Sequence, residues 1–167
     1  MFFRHIIAPI CATLRIMKKL SHYLAALAIT AWIGTLWAIG YLAVPVLFTA
    51  QPDRQLAGML AGEMFAVVGY LGIVCGIYLL ALHLIDFGRA ALRQPLFWII
   101  ATLLLLTLTI QCGLQPAMND LKTQALPLDV MHSAYADRFK ILHRISGTIY
   151  LIQSLLGAFL VIKTHHK

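Results

Sequence analysis

Four long apolar stretches, separated by shorter polar segments, dominate the hydropathy pattern of the chain. A helix needs about 20 mostly apolar residues to cross the hydrocarbon core of a bilayer. Backbone groups in lipid must be bonded internally, so we expect these stretches to be helices. The pattern predicts spans at about residues 20–48, 63–86, 95–115 and 141–163. Because the first is longer than a straight span requires, we expect it to tilt or to break near Pro45.

The composition agrees with this pattern and excludes most soluble classes. Hydrophobic residues make up 61% and charged residues 11% of the 167 residues, whereas a globular domain carries about 25% charged residues. The net charge is +7, but the basic residues flank the apolar stretches, as topology signals do. The expected partner is therefore the lipid bilayer, with no nucleic acid. The expected fold is an all-α, polytopic membrane protein with a four-helix transmembrane bundle.

Lysine and arginine residues predict the orientation of the bundle. Eight lie in the N-terminal segment, the second connection and the C-terminus, and five lie in the first and third connections. The positive-inside rule then places both termini in the cytoplasm. Residues 1–19 form a cytoplasmic or interfacial segment, 20–163 the transmembrane domain and 164–167 a cytoplasmic tail. Residues 1–16 lack a signal-peptide pattern, so they are interpreted as a short surface helix or as a misassigned start, with Met17 as the alternative.

The third connection, residues 116–140, is the longest of the three. Pro127 is expected to divide it, because proline interrupts regular helix. A helix is expected from Leu128 onward into the fourth span, with Asp129 as its start signal.

Polar residues within the spans fall on particular helix faces. A stripe on the fourth span comprises His143, Ser146, Gly147, Tyr150, Gln153, Ser154 and Gly157. Such a stripe is either a packing seam between helices or the lining of a pocket. Together with the predicted topology it gives an outer-leaflet polar pocket of Tyr41, Glu63, Gln111, Gln115, His143, Ser146 and Tyr150.

This pocket suggests a non-enzymatic function, the binding of a solute, a proton or a metal ion. Glu63 and His143 are its predicted titratable members, because an ionisable residue at membrane depth is a functional hypothesis by default. The two glutamines are expected to orient them, and the two tyrosines to close the pocket. The alternative interpretation is packing alone. The chain contains no GxSxG, Walker, HExxH or CxxC motif, so no catalytic residue is predicted.

Two histidines at the predicted inner leaflet suggest a second function. His22 and His83 lie at similar depth on adjacent helices, where they could ligate haem iron, or copper with a third ligand. Asp86 follows His83 by one turn and is expected to orient its imidazole. The alternative for His22 is a solvated histidine at the membrane boundary.

The second span carries a stripe of small residues, namely Gly58, Gly62, Gly69, Gly72 and Gly76. Spacings of the GxxxG type allow helices to approach closely. The stripe is therefore predicted to pack helices, either within the chain or as a docking face in a homo-oligomer or for a partner membrane subunit. Cys75 and Cys112 lie within apolar runs and are predicted to be buried free thiols.

Several of these motifs resemble a bacterial domain-of-unknown-function family of four-helix inner-membrane proteins, related to the eukaryotic transmembrane protein 205. The matching residues are Trp32-Ile33-Gly34, Trp37, Gly40-Tyr41-Leu42, Pro45, Leu47-Phe48, Glu63-Met64-Phe65, Leu114-Gln115-Pro116, Met118, Phe139, Leu142-His143 and Ser146. Arg144 departs from the eukaryotic pattern, which places glycine after this histidine. The resemblance implies four spans with cytoplasmic termini in bacteria. The association of the eukaryotic relative with platinum-drug resistance and export traffic hints at solute or metal handling.

A second resemblance concerns the start of the first span. His22 followed by Trp32-Ile33-Gly34 and Tyr41-Leu42 is similar to the opening of the haem-dependent protoporphyrinogen oxidases and of the copper-resistance membrane domain. That resemblance implies the haem or copper alternative at His22 and His83.

Overall fold

The computed structural model describes the backbone of residues 2–165 and the side chains of residues 16–164, and the described backbone is helical apart from short connections. The elements in chain order are α1 (Phe2–Trp37), a π-helical turn (Ala38–Ala43), α2 (Val44–Ala50), α3 (Arg54–Phe87), a 3-10 turn (Gly88–Arg93), α4 (Pro95–Leu108), a second π-helical turn (Thr109–Leu114), α5 (Gln115–Ala125), a 3-10 turn (Val130–His132) and α6 (Ala136–His165). The proposed alternative start at Met17 concerns residues whose side chains lie mostly outside the described part.

Within the described residues, four continuous helical segments are long and apolar enough to cross a membrane. They are Ile16–Ala50, Arg54–Arg93, Pro95–Ala125 and Ala136–Thr164, and we call them the first to fourth spans. This confirms the predicted all-α architecture with four spans. Each span packs against the next, and the fourth packs against the first. Because the connections are short, neighbouring spans are antiparallel and the bundle closes as a ring of four helices.

The second and fourth spans begin earlier along the chain than predicted. The carboxylate of Asp53 accepts hydrogen bonds from the backbone N–H groups of Gln55 and Leu56, at 2.9 and 3.1 Å. This is an N-cap, so the second span starts at Arg54 rather than near residue 63. Asp129 caps only the 3-10 turn that follows it, by accepting from the N–H of Met131. The helix expected from residue 128 is therefore wrong, and α6 starts at Ala136.

Two prolines within the spans do not break their helices. Each follows a π-helical turn that ends two residues before it, and in the first of these turns the N–H of Val44 donates to the carbonyl of Ile39, five residues back. Proline lacks an N–H and its ring crowds the carbonyl four residues earlier in an α-helix. The wider turn relieves that crowding at Pro45 and Pro116. The expected break near Pro45 is absent, and the third span continues beyond its predicted end to Ala125.

The apolar core lies in the half of the bundle nearest the connection between the second and third spans. It consists of Trp32, Ile33, Cys75, Leu79, Ile100, Leu103 and Leu160. Trp32, Ile33, Leu103 and Leu160 are its most completely buried large side chains, and we call these four the apolar layer. Cys75 is buried as predicted. Cys112 is exposed on the bundle surface, so its predicted burial is wrong.

Candidate functional site

Polar side chains gather at both ends of the bundle, and we name each end after an acidic residue found there. The Glu63 end contains the connections at residues 51–53 and 126–135, and the Asp86 end contains the connection at residue 94. The residues of the predicted outer pocket lie in the half of the bundle toward the Glu63 end. The histidines of the haem or copper hypothesis lie toward the Asp86 end.

Three side chains of the third span donate hydrogen bonds to backbone carbonyl oxygens of the second span. The bonds run from Gln111 Nε2 to Ala66 at 3.3 Å, from Gln115 Nε2 to Gly62 at 2.9 Å, and from Lys122 Nζ to Gly58 at 3.1 Å. We call this set the donor ladder. Its acceptors are spaced one helical turn apart and carry small side chains or none. The third span can therefore approach closely enough for side chains to reach the backbone of the second.

The glycine stripe of the second span packs against side chains of the same chain. A Cβ atom at Gly69 would overlap the amide of Gln111, and one at Gly72 would overlap the indole of Trp32. At Gly76 the nearest side chains are those of Trp32 and Leu104, both 3.1 Å from the position of a Cβ atom. Gly62 faces the Lys122 ammonium, and Gly58 has open space beside it. At four of its five positions the stripe is thus contacted by side chains of the same chain.

The hydroxyl of Tyr150 reaches into the backbone of the first span. It donates a hydrogen bond to the carbonyl oxygen of Leu36, and the Gly40 backbone hydrogen-bonds to the same hydroxyl. In a regular α-helix the Leu36 carbonyl and the Gly40 N–H would bond each other, because they are four residues apart. Insertion of a side chain between such partners distorts the helix locally, and the π-helical turn contains Gly40. A Cβ atom at Gly40 would overlap the Tyr150 ring, so glycine is needed at this position.

Two short hydrogen-bond chains cross the interior between this insertion and the apolar layer. Tyr41 donates to Ser154 Oγ at 2.9 Å, and Ser154 donates to the carbonyl of Tyr150 at 3.0 Å. Gln153 Nε2 donates to Thr107 Oγ1, and Thr107 donates to the carbonyl of its own span at Leu103, both at 2.8 Å. Both chains end on backbone oxygens. These hydrogen bonds tie the fourth span to the first and to the third.

Glu63 and His143, the predicted titratable pair, are both exposed on the bundle surface. They are linked through two other residues. The carboxylate of Glu63 attracts the Lys122 ammonium, which lies 5.8 Å from the ring centroid of Phe139. The Phe139 ring stacks on the imidazole of His143, with 6.0 Å between centroids.

For Lys122 the sequence pattern predicts only a role in topology, yet the structure places its ammonium at the centre of this end. Lys122 follows Gln115 by seven residues, and positions seven apart share a helix face. The glutamines that were expected to orient the titratable pair are instead bonded to the second span. Ser146 is half-buried on the fourth span.

At the Asp86 end, one carboxylate joins the first and second spans. Lys18 Nζ lies 3.6 Å from Asp86 Oδ1, and His22 Nε2 lies 3.7 Å from Asp86 Oδ2. Asp86 is the more buried partner in both pairs. The carboxylate that was expected to orient His83 therefore pairs with His22 and Lys18.

His83 is buried against aromatic rings. Its imidazole centroid lies 4.8 Å from that of Phe87 and 6.5 Å from that of Phe97. Among the described residues, no group of three or more His, Cys, Asp or Glu side chains is placed to hold a metal ion. Ligation of haem or copper by His22 and His83 stays a prediction.

Comparison with known proteins identifies the family. Residues 27–127, more than half of the chain, match the family described as Domain of unknown function (DUF4149). The chain belongs to this family. No curated protein and no solved structure matches it. The matched segment of this DUF4149 chain contains the whole donor ladder with its acceptors, whereas the fourth span lies outside it.

The chemistry available to this DUF4149 chain differs between its interior and its Glu63 end. The interior hydroxyls and amides described above are bonded to backbone oxygens or to one another, which favours a fixed packing role. At the Glu63 end, the Lys122 ammonium and the His143 imidazole lie against the Phe139 ring, and the Glu63 carboxylate interacts with the ammonium. These three groups can bind or release protons.

Proposed function

We propose that this DUF4149 chain is a membrane protein that handles protons, alone or together with a small solute, at its Glu63 end. The supporting observation is the half-buried ammonium of Lys122, held between the Gly58 carbonyl and the charge of Glu63. Charged side chains within membrane spans are costly and are typically tied to ion or proton pathways. In this proposal Glu63 and His143 exchange protons with water, and Lys122 is the neighbouring counter-charge of Glu63.

A proton or a small solute fits this end better than a metal cation does. Between Glu63 and His143 stands the positive charge of Lys122, which opposes the approach of a second cation. An ammonium carries three N–H donors, and among the described residues that of Lys122 donates one hydrogen bond, to Gly58. The remaining donors are available to water or to an acceptor group on a solute.

The proposed site opens to one side of the membrane. Polar groups continue inward from Lys122 through the donor ladder to Thr107 and Gln153. Beyond them lies the apolar layer, whose side chains offer a proton no hydrogen-bond acceptor. Proton transfer across the membrane therefore requires the apolar layer to part.

We also propose the orientation and the location of the bundle. The distribution of lysine and arginine supports cytoplasmic termini, so that the Glu63 end faces the outer side of a bacterial cytoplasmic membrane. The resemblance described above supports a relationship with transmembrane protein 205. In a variant without native cysteines, a membrane-impermeant maleimide added to intact cells should label Pro52→Cys and not Arg89→Cys. The reverse labelling would overturn this orientation.

Proton handling is tested with the purified full chain in liposomes that contain a pH-sensitive dye. After an acid pulse outside, the wild-type chain should collapse the pH gradient faster than protein-free liposomes do. Glu63→Gln and Lys122→Met should each slow this collapse by about tenfold, the effect of losing roughly 1.4 kcal/mol of stabilisation. Asp120→Asn is the matched control, because Asp120 is an exposed carboxylate on the same span as Lys122. This substitution should leave the rate of collapse unchanged.

Two results would contradict the proposal. Wild-type liposomes that hold the gradient as long as protein-free ones would exclude proton transfer. Variants that lose thermal stability and retain the wild-type rate would show that Lys122 and Glu63 serve packing alone.

A further inference from the structure

We infer that the outward face of the fourth span binds an anionic phospholipid, with Arg144 at the phosphate. This inference is independent of the proton-handling proposal. A groove of about 390 Å³ lies on this face and is lined by Ile141, Arg144, Ile145, Thr148 and Ile149. The donor ladder and the Glu63–Lys122 pair do not line it. Three isoleucines provide its apolar walls, and Arg144 provides its charge.

Arg144 forms no ion pair with any side chain that the structure describes. Among the side chains that the structure describes, the ion pairs are Lys18–Asp86, His22–Asp86 and Lys140–Asp137. Arg144 is exposed and stands two turns inside α6, where a guanidinium keeps its charge. A lipid-facing cation within a span requires a counter-charge or access to the headgroup region. Nothing in the described chain supplies that counter-charge, so an external anion is the expected partner.

A phospholipid matches both the charge and the shape of this face. A guanidinium can bind two phosphate oxygens with parallel N–H bonds. Toward the Asp86 end the same helix continues to expose apolar side chains, including those of Ile152 and Phe159. Phe159 lies about 22 Å along the helix axis from Arg144, at 1.5 Å per residue, which is comparable to the length of an acyl chain.

The charge of Arg144 favours a lipid with net negative charge. Lys140 lies one turn before Arg144 on the same helix face, but its ammonium is ion-paired with the exposed carboxylate of Asp137 at 3.3 Å, so this pair adds no net charge. A zwitterionic headgroup would bring its own cation close to the Arg144 guanidinium. Phosphatidylglycerol has no such cation and meets the guanidinium with a net negative charge.

The test measures lipid retained by the full chain purified in detergent, using native mass spectrometry with added phosphatidylglycerol, phosphatidylcholine or inorganic phosphate. The wild-type chain should bind phosphatidylglycerol about tenfold more tightly than phosphatidylcholine, the size of one charge-assisted hydrogen bond. Arg144→Gln should remove that preference. Arg138→Gln is the matched control, since Arg138 is also exposed but lies about 120° around the helix from Arg144, and it should retain the preference.

A second variant separates the groove from the charge. Thr148→Trp should fill the groove and weaken phosphatidylglycerol binding while Arg144 remains. The inference is overturned if Arg144→Gln retains the lipid preference of the wild-type chain, or if inorganic phosphate competes as well as the lipid does. A dimer that Arg144→Gln dissociates would overturn it too, because the face would then contact a second copy of the chain.

Discussion

The Lys122 ammonium and the Gly58 carbonyl oxygen form a 3.1 Å hydrogen bond across the interface between the third and second spans. The other two donors of the ladder are neutral amides, from Gln111 and Gln115. Lys122 is therefore the charged donor of the ladder, whereas the other two donors are neutral amide groups. Its removal should affect the association of these two spans as well as the proposed proton site.

Lys122→Met should lower the free energy of unfolding by about 1 kcal/mol, because a buried charge-assisted hydrogen bond between helices is lost. The measurement is unfolding in mixed detergent micelles. Lys140→Met is the control, since its ammonium meets only the exposed carboxylate of Asp137 among described residues, and it should change the free energy little. Equal effects of the two substitutions would show that the bond to Gly58 contributes nothing specific.

Gly72→Ala should destabilise the bundle by about 1–3 kcal/mol, because its Cβ atom would overlap the buried Trp32 indole. Gly34→Ala should instead stabilise the bundle. Nothing lies within 4 Å of a Cβ atom at Gly34, so the gain in helix propensity of about 0.5–1 kcal/mol should appear. Thermal unfolding of both variants in one detergent tests the pair. A stabilised Gly72→Ala would mean that Trp32 does not occupy the glycine stripe.

Tyr150→Phe should destabilise the bundle by about 1–3 kcal/mol, because the Leu36 carbonyl and the Gly40 N–H lose their shared partner. Amide hydrogen exchange should become faster around the first π-helical turn. Tyr70→Phe is the control, since Tyr70 is 63% exposed. If exchange in residues 38–43 were unchanged by Tyr150→Phe, the hydroxyl would not be what holds that turn.

Leu103→Ala should make the membrane more permeable to protons if the Glu63 end is a proton site, because it thins the apolar layer. Leu103 is fully buried, whereas Leu105 on the same helix is 63% exposed. Leu105→Ala is therefore a control of identical chemistry. The dye-loaded liposome assay should show faster gradient collapse for Leu103→Ala only. Similar rates for both variants would place the barrier to protons elsewhere in the bundle.

The four spans could be predicted from sequence because the length and apolarity of each stretch leave few alternatives in a bilayer. Their ends were harder to predict. Asp53 is a residue type that is favoured at an N-cap. Hydropathy alone, however, places the start of a span after the last charged residue, and therefore too late in the chain. Pro116 suggested a helix end, since proline usually interrupts a helix. The π-helical turn before Pro116 relieves the clash of the proline ring with the preceding turn. Neither composition nor hydropathy predicts that π-helical turn.

The candidate site was predictable in part, for a related reason. Glu63, Gln111 and Gln115 stand out as polar residues in apolar surroundings, and the structure gathers them in one half of the bundle. Lys122 becomes visible as the next position of that stripe only once the helix is known to continue past Pro116. The insertion of Tyr150 beside Gly40 depends on how the first and fourth spans are positioned relative to each other along the bundle axis. The sequence pattern of either helix alone does not determine that position.

The second π-helical turn also explains why residues spaced four apart along the third span all face the interior of the bundle. Leu103, Thr107, Gln111 and Gln115 are all buried, yet each step of four advances 40° too far in an α-helix of 3.6 residues per turn. Three steps accumulate a drift of about 120°, enough to carry Gln115 toward lipid. The wider turn at Thr109–Leu114 holds more residues per revolution and absorbs that drift. The third span thus keeps both its leucine and its glutamine positions on the inward side.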